Sequence, residues 1–340
     1  MNSLFIYNPA AGQMSVEKDV VRCLESLEQR GWCVQLVTTD RAGQATQVAH
    51  QAAEAGHDLV VAIGGDGTVG EVANGLVGTE TILGVIPAGT TNVWALQMNI
   101  PCLPPWHPRK VVDRMLADLE ELGWHRPAGI PSWLSGAFLV LLNSEVRAVD
   151  MGRIGDRYFL LWGGVGLDAR VTESVSLEDK RRFGFLAFIA ATLSVAVDYT
   201  GARTTLATRD REIEDEMLLV VAANTRLYGG ILEMAPTALL DDGLLDICVF
   251  KGDRFGMTLR HVTALLAGRH VGEPNFDYLK VDYLRVNASP PQPVHADDEV
   301  CGGTPVDITV APRSLRVAVP PSSDRGLFSH PRIGWLKDME

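Results

Sequence analysis

Cysteine is scarce in this sequence, and its few copies are scattered. The 340 residues include five cysteines, an odd number, and no two have the spacing of a metal-binding pair. Disulfide-stapled scaffolds and cysteine metal sites need more regular cysteine patterns. The sequence therefore predicts a protein of a reducing compartment, and we expect a cytoplasmic one. The five are Cys23, Cys33, Cys102, Cys248 and Cys301.

Positive charge is also in short supply. Lysine and arginine number 30 against 42 acidic residues, so the formal net charge at pH 7 is −12. Proteins that bind nucleic acids present basic surfaces to the phosphate backbone, so this balance argues against a nucleic-acid partner. It also gives the protein as a whole no attraction to anionic membranes, so any membrane contact must be local.

Long apolar runs are missing as well. The longest, residues 183–197, is interrupted by Gly184, Thr192 and Ser194, and it is shorter than the roughly 20 residues that a membrane-spanning helix needs. The N-terminal residues carry no pattern of a secretory signal. We therefore expect a soluble protein without a transmembrane segment, and its length suits two domains.

What the sequence does contain is a glycine turn between a strand and a helix. Residues 59–63 form a short β-branched apolar run, as expected for a strand buried on both faces. Gly64, Gly65 and Gly67 then allow a sharp turn with close approach to a ligand. Thr68 can cap the following helix. A helix N-terminus behind such a turn offers free N–H groups to phosphate.

Asp66 is the unusual member of this turn, because a carboxylate repels phosphate. We expect it to hold a metal ion, the waters of that ion, or the loop itself. The alternative is an ordinary strand-to-helix corner. The glycine spacing differs from the dinucleotide-binding fingerprint, and the lysine of a Walker loop is absent.

Strand and helix patterns alternate through residue 98, which predicts a parallel sheet of βαβ units. Turns at 8–12, 64–68 and 89–92 follow three of the strands. Ligands of such sheets bind beyond the carboxyl ends of the strands, so we expect a phosphate or nucleotide site there. The predicted strands are 3–7, 32–38, 59–63 and 82–87, and the predicted helices include 16–30, 44–55 and one from about residue 93.

The pattern changes after residue 124. Residues 100–108 are proline-rich and indicate a linker or lid, and 111–122 form a predicted helix. One long helix at 180–199 interrupts a series of strands, which predicts a mostly antiparallel β domain. Residues 322–340 are expected to be loosely ordered, with Phe328 and Trp335 able to dock. The predicted strands are 136–145, 158–163, 203–209, 217–223, 244–251, 283–288, 306–310 and 315–319.

The glycine turn, together with Glu71 and Asn74, resembles the catalytic domain of the diacylglycerol kinase family, which includes soluble bacterial lipid kinases and sphingosine kinases. NAD kinases share the Gly-Gly-Asp-Gly-Thr turn and phosphofructokinases have a close variant, so the turn alone indicates an ATP-type donor. Residues 8–12, 150–152 and 164–169 also match the family. The resemblance implies these nucleotide-contacting residues: Asn8, Gly12, Thr39, Gly64, Gly65, Asp66, Gly67, Thr68, Glu71, Gly89 and Thr90.

The resemblance also implies the α/β architecture in more detail. We expect an N-terminal Rossmann-like parallel-sheet nucleotide domain, of the type in NAD kinases and phosphofructokinases, over residues 1–130. A C-terminal β-sandwich, mostly antiparallel, should bind the lipid substrate over residues 131–312. Residues 313–325 are expected to return to the first domain, followed by a tail at 326–340.

A second marked segment of the family lies at residues 239–246. The resemblance implies a structural magnesium ion there, held by the backbone carbonyls of Leu239 and Leu244 and the carboxylate of Asp242. Carboxylate and carbonyl oxygens suit a hard cation. The alternative is a plain Asp-Asp-Gly turn before a strand, which is also common.

The family's Asp-Gly-Glu motif is matched by Asp297, Asp298 and Glu299. The resemblance implies that Asp297 is the general base toward the lipid hydroxyl and that Glu299 assists. Asp298 replaces the usual glycine, and aspartate tolerates a positive φ better than most residues. Repulsion among three adjacent carboxylates can raise one pKa, which suits a base. The alternative is an acidic hairpin tip.

Two further features concern the acceptor. Asn92 is followed by Val93 and Trp94, where many family members have Asp and Phe. The basic–aromatic cluster at 180–185 could meet lipid headgroups and acyl chains, or be a solvated edge of a buried helix.

The implied function is an ATP-dependent lipid kinase with Mg²⁺, which transfers the γ-phosphoryl group to a lipid hydroxyl. Diacylglycerol, giving phosphatidic acid, is the expected acceptor. The alternatives are a sphingoid-base kinase, an NAD kinase, and a non-catalytic lipid- or nucleotide-binding regulator. We expect peripheral contact with a membrane surface during action, and the resemblance allows a homodimer.

Overall fold

The computed structural model describes residues 1–12, 15–102, 129–174, 185–230, 232–297 and 299–338. The chain divides into one unit of residues 1–149, 314–326 and 330–340, and a second of residues 150–313 and 327–329. We call them unit 1 and unit 2. Three predicted features lie outside what the structure describes: the helix at 111–122, the linker or lid beyond residue 102, and residues 180–184 of the basic–aromatic cluster.

The first part of the chain alternates strands and helices, as predicted. Its elements are β1 (Asn2–Tyr7), α1 (Glu17–Glu28), β2 (Cys33–Thr38), α2 (Gln44–Glu54), β3 (Leu59–Gly64), α3 (Asp66–Leu76), β4 (Ile82–Pro87), α4 (Val93–Gln97) and α5 (Ser132–Leu142).

The remainder is dominated by strands. Its elements are β5 (Glu145–Ile154), β6 (Arg157–Phe159), β7 (Trp162–Gly166), α6 (Leu167–Ser174), α7 (Phe185–Asp198), β8 (Ala202–Ala207), β9 (Glu212–Ala223), β10 (Leu227–Tyr228), β11 (Leu232–Glu233), β12 (Leu245–Lys251), α8 (Phe255–Leu266), β13 (Phe276–Val281), β14 (Tyr283–Ser289), β15 (Pro293–Ala296), β16 (Glu299–Gly303), β17 (Val306–Val319) and β18 (Gly334–Trp335), with short 3-10 turns at His270–Gly272, Arg325–Leu327 and Leu336–Asp338.

Unit 1 contains the predicted parallel sheet. β1 pairs in parallel with β2 and β3, and β3 pairs in parallel with β4. The end of β17 adds a further parallel strand, through Arg316 opposite Ile82 and Val317 opposite Leu83. The central β3 is fully buried, with Leu59 to Ile63 at 0% exposure. The α/β class with a Rossmann-like first domain is therefore confirmed.

The strand predicted at 136–145 is wrong, because most of it is the helix α5. An apolar run without alternation fits a buried helix as well as a buried strand, and only its packing decides between them. α5 lies on the parallel sheet, where a Cβ at Gly84 would come within 2.8 Å of Leu141. The Phe138 ring stacks on Phe5 with centroids 6.1 Å apart. Unit 1 accordingly extends to residue 149 and not to the expected 130.

Unit 2 is the predicted antiparallel sandwich. β9 pairs with β7, β8 and β12, and β12 pairs with β13, all antiparallel. β15 pairs with β7 and β16, and β14 pairs with β8 and the start of β17. Alternating side chains of these strands form one apolar core, which includes Val220, Ile247, Leu284 and Val294. The sandwich is therefore confirmed, although the sequence patterns missed β13, β15, β16 and the helix α8.

The C-terminal residues are packed, contrary to the expected loose tail. Leu327 and Leu336 are fully buried. β18 pairs antiparallel with β5, with Trp335 opposite Glu145. The guanidinium of Arg332 lies 4.4 Å from the centre of the Trp335 ring. The burial of a few apolar side chains along a short polar segment is enough to hold that segment against the protein. Across the described residues, every helix is too short or too polar to cross a membrane.

Candidate active site

The three glycine turns of unit 1 are in direct contact. A Cβ added to Gly12, which has φ +70°, would lie 2.2 Å from the carbonyl oxygen of Ala88. A Cβ added to Gly89 would lie 2.4 Å from the Cα of Gly65. Contacts this short leave no room for a side chain, so glycine is needed at these positions. The structure thus brings together the turns after β1, β3 and β4.

Asn8 ties the first turn to the second. Its Nδ2 donates to Thr68 Oγ1 at 2.9 Å, and its Oδ1 accepts from the N–H of Ala10 at 2.9 Å. Its backbone N–H donates to the carbonyl of Ile63 at 3.0 Å. A Cβ at Gly64 would collide with the Thr68 side chain at 2.5 Å. The side chain of Asn8 therefore has a structural task in shaping the turn.

Asp66 holds the third turn. Its Oδ2 accepts from the N–H of Val93 at 2.8 Å and its Oδ1 from the N–H of Trp94 at 3.1 Å. Of the three uses considered for this carboxylate, the structure supports the holding of the loop. These donors also offset the negative charge that would otherwise face a phosphate. Asn92, in the left-handed region at φ 55°, closes the turn through hydrogen bonds in both directions with Gly89.

Glu71 and Thr39 lie at the borders of this region. Glu71 Oε2 accepts from the N–H of Ala45 at 3.1 Å, and so supplies the acceptor that the N-terminus of α2 lacks after Gly43. The hydroxyl of Thr39 is buried and donates to the Tyr7 carbonyl at 3.4 Å. Thr90 is partly exposed on the third turn. The turns and the α3 N-terminus together form a cradle for an anion such as a phosphate.

We expect Gly89→Ala to lower both the stability of the protein and its affinity for ATP. The new methyl group meets backbone atoms of Gly65, which cannot move aside as a side chain could. Overpacking of this kind costs about 1–3 kcal/mol. Urea unfolding and equilibrium ATP binding check the expectation. Gly256→Ala is the control, because nothing lies within 4 Å of that added Cβ; equal behaviour of the two variants contradicts the prediction.

In unit 2, Asp297 lies at the end of β15 and is only 9% exposed. Its Oδ1 accepts from the N–H groups of Leu161 at 2.9 Å and Trp162 at 3.2 Å, and its Oδ2 from that of Leu160 at 2.9 Å. Three backbone donors fix the carboxylate in one orientation. The left-handed backbone, considered for Asp298, belongs to Asp297 with φ 50°, and Asp298 is outside the described residues.

A buried pair, His295 and Asp168, contacts the backbone of Asp297 through His295. His295 Nδ1 lies 2.7 Å from the carbonyl oxygen of Asp297, and Nε2 lies 2.6 Å from Asp168 Oδ2. A carbonyl oxygen only accepts, so Nδ1 donates to it, and Nε2 lies within hydrogen-bond distance of the Asp168 carboxyl group. Tyr228 donates to the other oxygen of Asp168. His295 and Asp168 are 1% and 3% exposed.

The sequence interpretation gave no role to this pair, although Asp168 stands inside the matched segment 164–169 and His295 lies two residues before Asp297. Their link spans 127 positions, which no local pattern reveals. One residue of the sequence reflects the presence of this pair. It is Gly164, where an added Cβ would lie 2.2 Å from His295 Nε2. Glycine is therefore needed beside the pair.

Glu299 lies in a different environment from Asp297. Its side chain is 58% exposed and forms an ion pair with Arg157. Asp297 is instead surrounded by backbone donors. The two carboxylates that the sequence placed together thus differ in exposure and in their partners.

Unit 2 also contains an apolar cavity, which the sequence did not predict. It has an empty volume of about 680 Å³, including its open part. Its walls come from α6, α7, α8 and the adjoining strands, and they are mostly apolar, as the walls of ligand-binding sites usually are. The lining residues are Leu167, Asp168, Val171, Thr192, Leu218, Leu219, Tyr228, Leu232, Met234, Phe250, Thr258, His261, Val262, Leu265 and Leu266.

The turn at 239–244 is held by protein groups. Asp242 Oδ1 accepts from the N–H of Leu244 at 3.1 Å, while Oδ2 lies 3.6 Å from the ammonium group of Lys280. Asp150 accepts from the N–H groups of Gly243 at 2.7 Å and Arg313 at 2.6 Å. Burial raises the pKa of Asp150 to about 6.

The fit of a magnesium ion at this turn is mixed. Its carboxylate and carbonyl oxygens are of the right type. Lys280, however, already places a positive charge beside Asp242 and also contacts Asp246 Oδ2 at 3.1 Å. Within the described ranges, no group of three or more His, Cys, Asp or Glu side chains is arranged to hold a metal ion. We therefore assign no step of the chemistry to a cation at this turn.

The backbone N–H groups at the turns of unit 1 suit a phosphate, and the apolar cavity of unit 2 suits a hydrocarbon ligand. Comparison with known proteins agrees. Residues 2–121 match the diacylglycerol kinase catalytic domain, and residues 164–319 match the YegS C-terminal NAD kinase beta sandwich-like domain. The chain thus contains a diacylglycerol kinase catalytic domain followed by a YegS C-terminal domain, and it is a lipid kinase, a phosphotransferase. The kinase domain implies ATP as the phosphate donor.

Its relatives align over nearly the whole length. The chain is 28% identical over 317 residues to "Diacylglycerol kinase" of Bacillus subtilis (strain 168), covering 93% of this chain and 95% of the relative. It is 28% identical over 315 residues to "Probable lipid kinase YegS-like" of Pseudomonas fluorescens, covering 92% and 94%. A crystal structure of a diacylglycerol kinase from Bacillus anthracis str. Sterne has a similar fold, with a TM-score of 0.64, 20% identity and coverage of 95% and 98%.

Proposed function

We propose that this lipid kinase phosphorylates diacylglycerol with ATP and produces phosphatidic acid. The observation that carries the proposal is the apolar cavity of unit 2. Transfer of a hydrocarbon chain from water to such an apolar wall lowers the free energy of the system. The name of the Bacillus subtilis relative supports the same acceptor.

The cavity favours a neutral lipid alcohol over a sphingoid base. Asp168 is the carboxylate among the described residues that line it. Its oxygens are engaged by Tyr228 and His295. Because both oxygens already have partners, the carboxylate is less available to the ammonium group of a sphingoid base. NAD, with its charged pyrophosphate and hydroxyl-bearing riboses, suits an apolar wall still less.

ATP binds, in this proposal, to the cradle of unit 1. The backbone N–H groups of the three turns and of the α3 N-terminus hold the phosphates. Magnesium, bound together with ATP, would offset charge on the phosphates. The contacting residues are Asn8, Gly12, Thr39, Gly64, Gly65, Asp66, Gly67, Thr68, Glu71, Gly89 and Thr90, of which Asn8, Asp66 and Glu71 act chiefly by shaping the loops. Leu239, Asp242 and Leu244 stay a proposed structural cation site, with Lys280 as the competing charge.

Asp297 is the proposed general base. The lipid hydroxyl oxygen forms a bond to the γ-phosphorus, the bond from that phosphorus to the bridging oxygen breaks, and ADP leaves. The hydroxyl proton passes to Asp297. The transition state of phosphoryl transfer is loose, so the position of the hydroxyl matters more than the strength of the base. A carboxylate fixed by three N–H donors suits that task, and Glu299 would assist from the strand that follows.

We expect Leu265→Trp to raise the KM for long-chain diacylglycerol about tenfold, because the indole ring fills part of the cavity that Leu265 lines. The affinity for ATP should not change, since Leu265 belongs to unit 2 and the phosphate cradle to unit 1. Kinetics with short-chain and long-chain diacylglycerol check this. An equal effect on both chain lengths argues against an acyl-chain cavity.

The acceptor itself is tested by supplying γ-labelled ATP and magnesium with diacylglycerol, a sphingoid base or NAD. Labelled phosphatidic acid as the main product supports the proposal. A labelled sphingoid base would transfer the assignment to that alternative, and labelled NADP would overturn the lipid acceptor. ATP binding without any labelled product would favour the non-catalytic regulator.

A further inference from the structure

The helix α8 carries an apolar stripe on its outer surface. Phe255, Leu259 and Leu266 are 38%, 44% and 51% exposed, and Val262 between them is partly buried. Their spacing of four, three and four residues places them on one face of an α-helix. Scattered exposed leucines are ordinary, whereas a contiguous stripe of large apolar side chains marks a contact surface. We call these four residues the α8 stripe.

The stripe leads into the lipid cavity. Val262 and Leu266 belong to the stripe and also line the cavity. Because Leu266 is half exposed, the cavity reaches the protein surface beside it. Phe255 and Leu259 are on the same helix face but are not part of the cavity wall. An apolar ligand that enters at Leu266 would therefore pass along apolar surface throughout.

The charge around the stripe differs from that of the whole chain. Residues 254–272 include Arg254, Arg260 and Arg269 and contain no aspartate or glutamate, although the chain has a net charge of −12. Arg254 and Arg260 pair with Asp253 and Glu273, which flank this segment. All three arginines are exposed. An apolar helix face bordered by arginines is the pattern of a helix lying at an anionic lipid surface.

We propose that the α8 stripe docks on the surface of an anionic lipid bilayer and places the mouth of the cavity against the acyl chains. This inference rests on the proposed lipid acceptor, which resides in a bilayer. Docking by apolar side chains in the interface, with arginines at the headgroups, would let the acceptor enter without crossing water. The surface contact is local, as the acidic charge of the chain requires.

The test uses the full-length protein and vesicles of phosphatidylcholine with or without phosphatidylglycerol. The variant is Phe255→Ser/Leu259→Ser, which leaves the cavity wall intact. We expect wild type to sediment with the phosphatidylglycerol vesicles and the variant to partition about tenfold less. Phosphorylation of short-chain diacylglycerol in solution should be unchanged. The matched control is Val21→Ser/Ile333→Ser, whose side chains are 39% and 42% exposed in unit 1, and it should bind vesicles like wild type.

Equal vesicle binding by wild type and the stripe variant overturns the proposal. So does a wild-type dimer that the stripe variant dissociates, because the stripe would then be an interface between two copies. Vesicle binding is read without activity, so its outcome is separate from that of the acceptor assay. If the stripe variant loses vesicle binding while wild type fails to phosphorylate diacylglycerol, docking stands and the acceptor assignment fails. Arg254→Gln/Arg269→Gln should weaken binding only to phosphatidylglycerol vesicles.

Discussion

Asp297→Asn is expected to lower kcat by about a hundredfold or more, with little change in the affinity for ATP. Loss of a general base costs on the order of 10²–10⁴ in rate. The asparagine amide keeps the shape of the carboxylate, so the lipid hydroxyl can still be placed near it. Steady-state kinetics with diacylglycerol and ATP, alongside equilibrium ATP binding, measure the two effects separately.

A modest loss of stability should accompany this substitution. Both oxygens of Asp297 accept backbone N–H groups, so the new NH₂ group must face at least one donor. An unsatisfied buried donor costs about 1–3 kcal/mol, and thermal unfolding reports it. Glu299→Gln is the control at the neighbouring carboxylate, because Glu299 is exposed and paired with Arg157. Its effect on kcat should be smaller. A kcat for Asp297→Asn within a few-fold of wild type contradicts the assignment of the base.

Asp168→Leu is expected to destabilise unit 2 by about 3–5 kcal/mol. Removal of one partner from a buried pair leaves the other uncompensated. Here His295 Nε2 and the Tyr228 hydroxyl would both lose their acceptor. Urea unfolding measures the loss. Asp282→Ala is the matched control, because it breaks the exposed pair with Arg209, whose side chains are 45% and 67% exposed. Such pairs contribute only about 0–1 kcal/mol.

Asp168→Leu should also lower kcat, because it allows the carboxylate of Asp297 to move. His295 contacts the backbone carbonyl of Asp297, so a displaced imidazole allows Asp297 to move. We expect kcat to fall with unchanged ATP affinity at temperatures where the variant is still folded. A double-mutant cycle of Asp168→Leu with His295→Phe should give a coupling free energy above about 1 kcal/mol. Additive effects would show that the two residues act independently.

Much of the fold was predictable because its signals are local. The apolar run of β3, bounded by glycines, indicated a buried parallel strand, and all its apolar residues are fully buried. Regular alternation of strand and helix patterns then predicted the parallel sheet. The glycine turns were recognisable from the local sequence, and the structure places them in contact through Gly12, Gly65 and Gly89.

Other elements depended on distant partners. The apolar run of α5 has no alternation, and its contact with Gly84 and Phe5 is what makes it a helix on the sheet. The tail was expected to be loosely ordered, but Leu327 and Leu336 are buried. The strands β13 and β15 are short and do not alternate regularly, and their pairing supplies the stability that their sequences lack.

The class of fold, the resemblance to lipid kinases and the positions of the glycine turns could be inferred without coordinates, because glycine and apolar periodicity act over a few neighbouring residues. Three features became visible only in the folded chain: Asp66 holds a loop, His295 and Asp168 contact Asp297 or each other, and a cavity opens beside α8. These features join residues tens to more than a hundred positions apart. These features form by burial and hydrogen bonding, and both require that folding first bring the distant residues together.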